Sequence, residues 1–241
     1  MRAWISPSTF EGVPGRPASV RQPAASGTLR LRRATLQARW FKPALFVLCL
    51  VPLASLVWRA FAVQLGPNPE QTLIWTMGLW TLRFLLFTLA VTPLRQLTGW
   101  AELARFRRML GLFAFSYAAL HFTCYLWLVN DFSLGAVAKD VVKHPFVLAG
   151  MTALALMLPL AATSTNRMVK RLGARRWQAL HRLVYLVAVV AVFHFWWLKL
   201  AKNNTAEPKL YALLFGLLLG YRLVKALRAR TDRARALTRG G

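Results

Sequence analysis

Residues 175–198, RRWQALHRLVYLVAVVAVFHFWWL, set two histidines, His181 and His194, into an apolar run long enough to cross a bilayer. An ionisable side chain inside a membrane span is expensive, and it marks a functional position by default. Imidazole is also a common axial ligand of haem iron. Thirteen residues of helix rise about 20 Å, so the two histidines lie at different depths. The pattern implies iron at one level exchanging electrons with a carrier, or a second iron, at another.

Composition supports a membrane setting. The chain of 241 residues is 57% hydrophobic and only 16% charged, yet its formal net charge is +25. The charge does not point to nucleic acid, because basic residues cluster between and beyond the apolar runs, where cytoplasmic loops keep them. Cys49 and Cys124 both lie inside apolar runs. No CxxCH, zinc-type cysteine pairing, disulfide framework, GxGxxG or P-loop occurs.

The expected fold is all-α, a six-transmembrane helix bundle with both termini cytoplasmic. Residues 1–42, with eight basic residues and one acidic, read as a disordered cytoplasmic tail. Residues 43–227 form the membrane domain, and residues 228–241 a basic cytoplasmic tail. The spans are expected near 43–63, 72–93, 109–129, 145–163, 177–198 and 210–227. Loops two and four and the C-terminal segment hold most of the arginines, whereas loops one, three and five hold only Lys139, Lys143, Lys199, Lys202 and Lys209. By the positive-inside rule this sets the orientation, and Trp127, Trp196 and Trp197 fall at the outer aromatic belt.

Spans three and five then run in the same direction, so depths along them compare directly. His121 lies about thirteen residues beyond Arg108, and His194 about seventeen beyond Trp177. Both fall in the outer half, where one iron could be held between them. His181 lies near the inner surface, level with Arg107 and Arg108, with no histidine facing it. There is one complete bis-histidine site and one half site. On an ideal helix His181 and His194 stand roughly 140° apart, so they share a face only if the helix tilts, kinks or carries a bulge.

Three segments carry a resemblance to a known family: LWTLRFLLFTLAVTPLR (79–95), RRMLGLFAFSYAALHFTCYLW (107–127), and KHPFVLAG (143–150) through ATSTNRMVKRLGARRWQALHRLVYLVAVVAVFHFWW (162–197). In these the chain resembles the ferric-reductase-like transmembrane superfamily, and within it the MsrQ (YedZ) family. The latter are haem-binding membrane subunits of bacterial methionine sulfoxide reductase systems. The resemblance covers about residues 43–227, and RRWQALHRLVY is its most specific segment. It implies a multi-pass protein of the bacterial inner membrane, with haem b (one or two) and, in some members, FMN. It further implies electrons taken from a cytosolic flavin reductase or quinol and passed to a periplasmic molybdopterin subunit, MsrP-like, that reduces protein-bound methionine sulfoxide. The axial ligands it carries onto this chain are His121, His181 and His194. The long basic N-terminus and the lack of a flavin motif depart from the family pattern.

Arg83 lies eleven residues into the second span, where a charge costs about 2.5–3.5 kcal/mol on insertion scales. A guanidinium matches a carboxylate, so Arg83 is a candidate partner for a propionate of the outer haem. His144, before Pro145 in an outer loop, reads as a surface residue, and Cys124 as a small apolar filler. Tyr117 and Trp127 could line a haem, though aromatics at helical spacing are usually core. The function expected is transmembrane electron transfer through haem b, by a subunit that changes no substrate bond itself. The rivals are a ferric-chelate or oxygen reductase on the same haem core, and a haem-free membrane transporter.

Overall fold

The computed structural model describes residues 40–200 and 204–239. The tail expected over 1–42 lies outside them apart from residues 40–42, as does Lys202. The described residues form nine α-helices and one 3₁₀ turn, with no strand. These are α1 (Phe41–Phe61), α2 (Pro69–Thr98), the turn Ala101–Arg105, α3 (Arg107–Leu128), α4 (Leu134–Lys143), α5 (Pro145–Ala162), α6 (Asn166–Leu172), α7 (Ala174–Leu180), α8 (Leu183–Leu200) and α9 (Ala206–Arg239). Six segments are long and apolar enough to cross a membrane: α1, α2, the turn with α3, α5, α7 with α8, and α9 to Asp232. The chain is a multi-pass, six-span helix bundle.

Local chemistry sets the helix ends. Pro69 and Pro145 occupy the first turns of α2 and α5, where a missing N–H costs nothing. Gly99, at φ 71°, ends α2 in the left-handed conformation that glycine adopts freely.

The fold departs from the sequence expectation at three places. The fifth span is not one helix: it breaks at His181–Arg182. There Arg182 N bonds Ala179 O (3.2 Å) and Tyr185 N bonds Arg182 O (3.0 Å), the tighter spacing of a 3₁₀ turn. The break lies between His181 and His194, so one ideal helix does not carry both. The third loop contains α4, whose Val137 is buried and whose Ser133 cap accepts from Ala136 N at 3.2 Å. The last helix runs on past 227 to Arg239, so the described part of the basic segment is helical.

Two helix pairs dominate the packing, α2 against α3 and α5 against α8. Their contact faces meet in a core that includes Leu85, Leu89, Ala114, Val187 and Ala188. The faces of α1 and α9 are largely exposed, with Trp58, Phe61, Leu213 and Leu217 outward, as suits contact with lipid.

One core contact is polar. In a regular helix Leu53 N would bond Cys49 O; here the Tyr117 hydroxyl stands between them. It accepts from Leu53 N (3.1 Å) and donates to Cys49 O (2.9 Å). Pro52 sits in the same turn, and an inserted side chain beside a proline is a recognised cause of helix bending. Tyr117 is 1% exposed, so its hydroxyl has no solvent to fall back on. Tyr117→Phe leaves the Leu53 donor and Cys49 acceptor without their bridge. It should cost about 1–3 kcal/mol, read as a lower unfolding midpoint of the detergent-solubilised protein.

Candidate functional site

Between the two dominant helix pairs lies a cavity of about 730 Å³, within the range of cofactor pockets. Leu82, Leu85, Ala118, Leu154, Met157 and Ala191 give it apolar walls, and Glu70, Asp140, His144, Lys199 and Glu207 stand at one end. His121 from α3 and His194 from α8 enter from opposite sides. Their ring centroids are 6.3 Å apart with planes at 78°, so the rings face one another without stacking.

The two imidazoles are anchored in the same way. His121 Nδ1 lies 2.8 Å from Ile74 O in α2, and His194 Nδ1 lies 2.6 Å from Phe146 O in α5. A carbonyl only accepts, so each Nδ1 carries the proton and each Nε2 keeps its lone pair. A helical carbonyl already bonds the N–H four residues on, and its second lone pair is open to a side chain only if space allows. Glycine provides that space in both helices. A Cβ on Gly78 would lie 3.1 Å from His121 Cε1, and one on Gly150 would lie 2.8 Å from His194 Cε1. Glycine inside a helix costs about 1 kcal/mol against alanine, and here it makes room for the ring.

The arrangement suits a metal held between two axial imidazoles. Two metal–nitrogen bonds of about 2 Å, with roughly 1 Å from each nitrogen to its ring centre, put the centroids about 6 Å apart. Among the described residues no group of three metal-binding side chains converges, so the histidines offer a pair of ligands rather than a cage. A pair with open positions in the plane between them matches a planar macrocyclic chelate.

A second cavity, about 430 Å³, opens at the basic end of the bundle. His181, Arg107, Arg108, Arg182, Gln178 and Tyr185 line it, and it shares Leu85 and Met157 with the first. His181 is thus level with Arg107 and Arg108, as its position predicts. Its surroundings differ from those of the other two. Trp177 stacks on its ring at 3.9 Å and donates from Nε1 to Thr163 O at 2.9 Å. His181 Nε2 meets Thr163 Oγ1 at 3.1 Å, while that hydroxyl donates to Pro159 O at 2.6 Å. With the hydroxyl proton so used, Nε2 is the donor, the tautomer opposite to that of His121 and His194.

Arg83 goes elsewhere than the sequence suggests. Its Nε donates to the Tyr211 hydroxyl of α9 at 3.2 Å, and its guanidinium lies 4.6 Å over the Trp80 ring. It does not line the cavity of His121 and His194. Tyr117 is core, Trp127 is exposed, and Cys124 is half-buried and a free thiol. His144 is half-exposed but not isolated. Its Nδ1 donates to Asp140 Oδ1 (2.7 Å), and Tyr125 donates to Asp140 Oδ2 (2.5 Å). Gly78, Gly150, Lys199 and the Asp140 cluster were not picked out from the sequence. The glycines had a signal, an unexplained Gly within a span, whereas Lys199 and Asp140 looked like loop charges.

The fold and paired histidines define a class, six-span membrane proteins with a ferric-reductase-like domain. The family model described as "Ferric reductase like transmembrane component" matches residues 74–192. The chain is 50% identical over 182 residues to the "Protein-methionine-sulfoxide reductase heme-binding subunit MsrQ" of Polaromonas naphthalenivorans, covering 76% of this chain and 83% of that protein. Against the protein of the same name from Herminiimonas arsenicoxydans, it is 47% identical over 81% of this chain and 89% of that one. For that of Xanthomonas campestris pv. campestris the identity is 47%, over 80% and 90%. The chain belongs to the MsrQ family. No solved structure matches it.

The Asp140 cluster carries a pH signature. Burial raises its carboxyl, but the hydrogen bonds from Tyr125 and His144 outweigh that and hold it below the usual 3.8. A depressed folded-state value stabilises the fold above the unfolded value, and that stability is lost as pH falls through the folded one. Asp140→Asn should therefore lower the melting temperature at neutral pH. The gap from wild type should close once the pH drops below 3.8, in melts of both proteins across an acidic series.

Proposed function

We propose that this protein is a haem b electron-transfer subunit of a methionine sulfoxide reductase system, with His121 and His194 as the axial ligands of one haem. The observation that carries the reading is the facing imidazole pair, each fixed through Nδ1 and seated on a glycine, within an apolar cavity. The relatives' name, heme-binding subunit, supports it. Haem supplies a one-electron couple. The chain holds it between two neutral nitrogens, strengthens those ligands through the carbonyl hydrogen bonds, and keeps water from it with leucine, alanine and methionine side chains.

The second cavity is the inner station of the path. Its arginines and His181 suit an anionic aromatic cofactor, a second haem with His181 as its ligand or the FMN that the resemblance implies. The orientation we infer places this basic end in the cytoplasm together with both termini, in the bacterial inner membrane. Electrons then enter from a cytosolic flavin reductase or quinol at the arginine-rich end. They leave from the end bearing Glu70, Asp140 and Glu207 to an MsrP-like periplasmic subunit. A ferric-chelate or oxygen reductase would use the same core and turn over without that subunit, and a transporter would bind no haem.

The test is a haem count with reduced-minus-oxidised spectra on protein purified from haem-supplied cells. His121→Ala and His194→Ala should each abolish the six-coordinate spectrum, whereas His181→Ala should retain it. A well-folded wild type without haem would refute the proposal. Gly150→Ala should lose more haem than Gly78→Ala, because its Cβ intrudes further on the ring it supports.

A further inference from the structure

We propose that Lys199 is the cation that receives the carboxylate edge of the cofactor in the His121–His194 cavity. This rests on the haem reading above, since a b-type haem carries two propionates on one edge. Lys199 is the only lysine or arginine lining that cavity among the described residues. Its side chain is 11% exposed, and Nζ lies 4.6 Å over the Trp75 ring and 5.8 Å from that of Phe195. Ring faces favour a cation but do not neutralise it, and a nearly buried ammonium needs a carboxylate. In this structure Glu207 supplies one at 3.3 Å, and Glu207 is 54% exposed, so water can solvate it when another carboxylate takes its place.

Position along the helix adds to this. Lys199 follows His194 on α8 by five residues, about 7.5 Å of rise, the scale of half a macrocycle. A cofactor centred on His194 thus brings its rim to the depth at which Lys199 leaves α8. The other charged groups at this end, Glu70, Asp140 and Glu207, are acids. They repel a carboxylate, and Asp140 is already occupied by Tyr125 and His144. Arg83, the candidate from sequence, bonds the Tyr211 hydroxyl through Nε, lies over Trp80, and is not among the residues lining the cavity. The propionate edge therefore points towards the acidic end of the bundle and not towards the membrane centre.

A cation near the iron favours the reduced state, so losing it lowers the midpoint potential. The experiment is a spectroscopic redox titration, with haem transfer to excess apomyoglobin, on full-length wild type, Lys199→Met, Lys199→Arg, Glu207→Gln and Arg83→Leu. Lys199→Met should lose haem at least tenfold faster. Its midpoint should fall by about 59 mV, a tenfold change in the one-electron ratio. Lys199→Arg should stay near wild type, and Glu207→Gln, which removes a competing negative charge, should raise the midpoint. Arg83→Leu should leave the outer haem's midpoint and retention unchanged. Wild-type midpoint and retention in Lys199→Met overturn the assignment, as does a shift in Arg83→Leu alone. Should Lys199→Met not accumulate, Lys199→Gln takes its place, and wild-type midpoint and retention in that variant overturn the assignment. Wild type lacking haem fails the haem reading itself, a result distinct from any of these.

Discussion

The structure depends on seating two imidazoles, each anchored through Nδ1 to a helical carbonyl, against one apolar cavity. An imidazole has two nitrogens, and in a dry interior the second must give its proton to something. The chain uses the spare lone pair of a helical carbonyl, Ile74 O for one ring and Phe146 O for the other. Each choice ties a histidine-bearing helix to a neighbour at a glycine, and those ties coincide with the two most extensive helix contacts, α2 with α3 and α5 with α8. The site and the packing thus have one cause. The bundle is two hairpins, each built around a ring lying on a backbone, with a cavity where they meet.

Charge placement follows the same economy. The lining of the upper walls is apolar, while cations are held at edges or against aromatic faces: Arg83 on Trp80, Lys199 on Trp75, Arg222 over Tyr185 at 5.2 Å. Arg222 also donates to Leu89 O, so its charge is spread into the backbone of α2. Of these, Lys199 also pairs with a carboxylate, that of Glu207 at 3.3 Å, and among the described residues the acids sit near helix ends or in the loops.

Much of this was legible in the sequence. Hydropathy placed six spans within a few residues, because a bilayer imposes a length that side-chain detail cannot change. Equal depth matched His121 with His194, since helical rise is regular whatever the neighbours. What depends on rotation about the helix axis was harder to see. Arg83 sits at a plausible depth but faces Tyr211, and Lys199 counted as a loop charge although its ammonium lies over the Trp75 ring. The break at His181 was signalled only indirectly, by an angle that an ideal helix could not satisfy. Helix α4 was missed because a short amphipathic segment has no length requirement to announce it.

Leu85 and Met157 belong to both cavities, so the two chambers have side chains in common. On the proposed path an electron crosses between them by tunnelling, which needs no ion or water to move with it. Carriage along the proposed path is therefore electrogenic: negative charge moves outward with no compensating ion beside it. A cell interior held negative assists that movement, by about 2.3 kcal/mol for each 100 mV if the whole membrane is crossed. A protein working by that proposed path would draw on membrane voltage as well as on the difference in redox potential between its donor and acceptor.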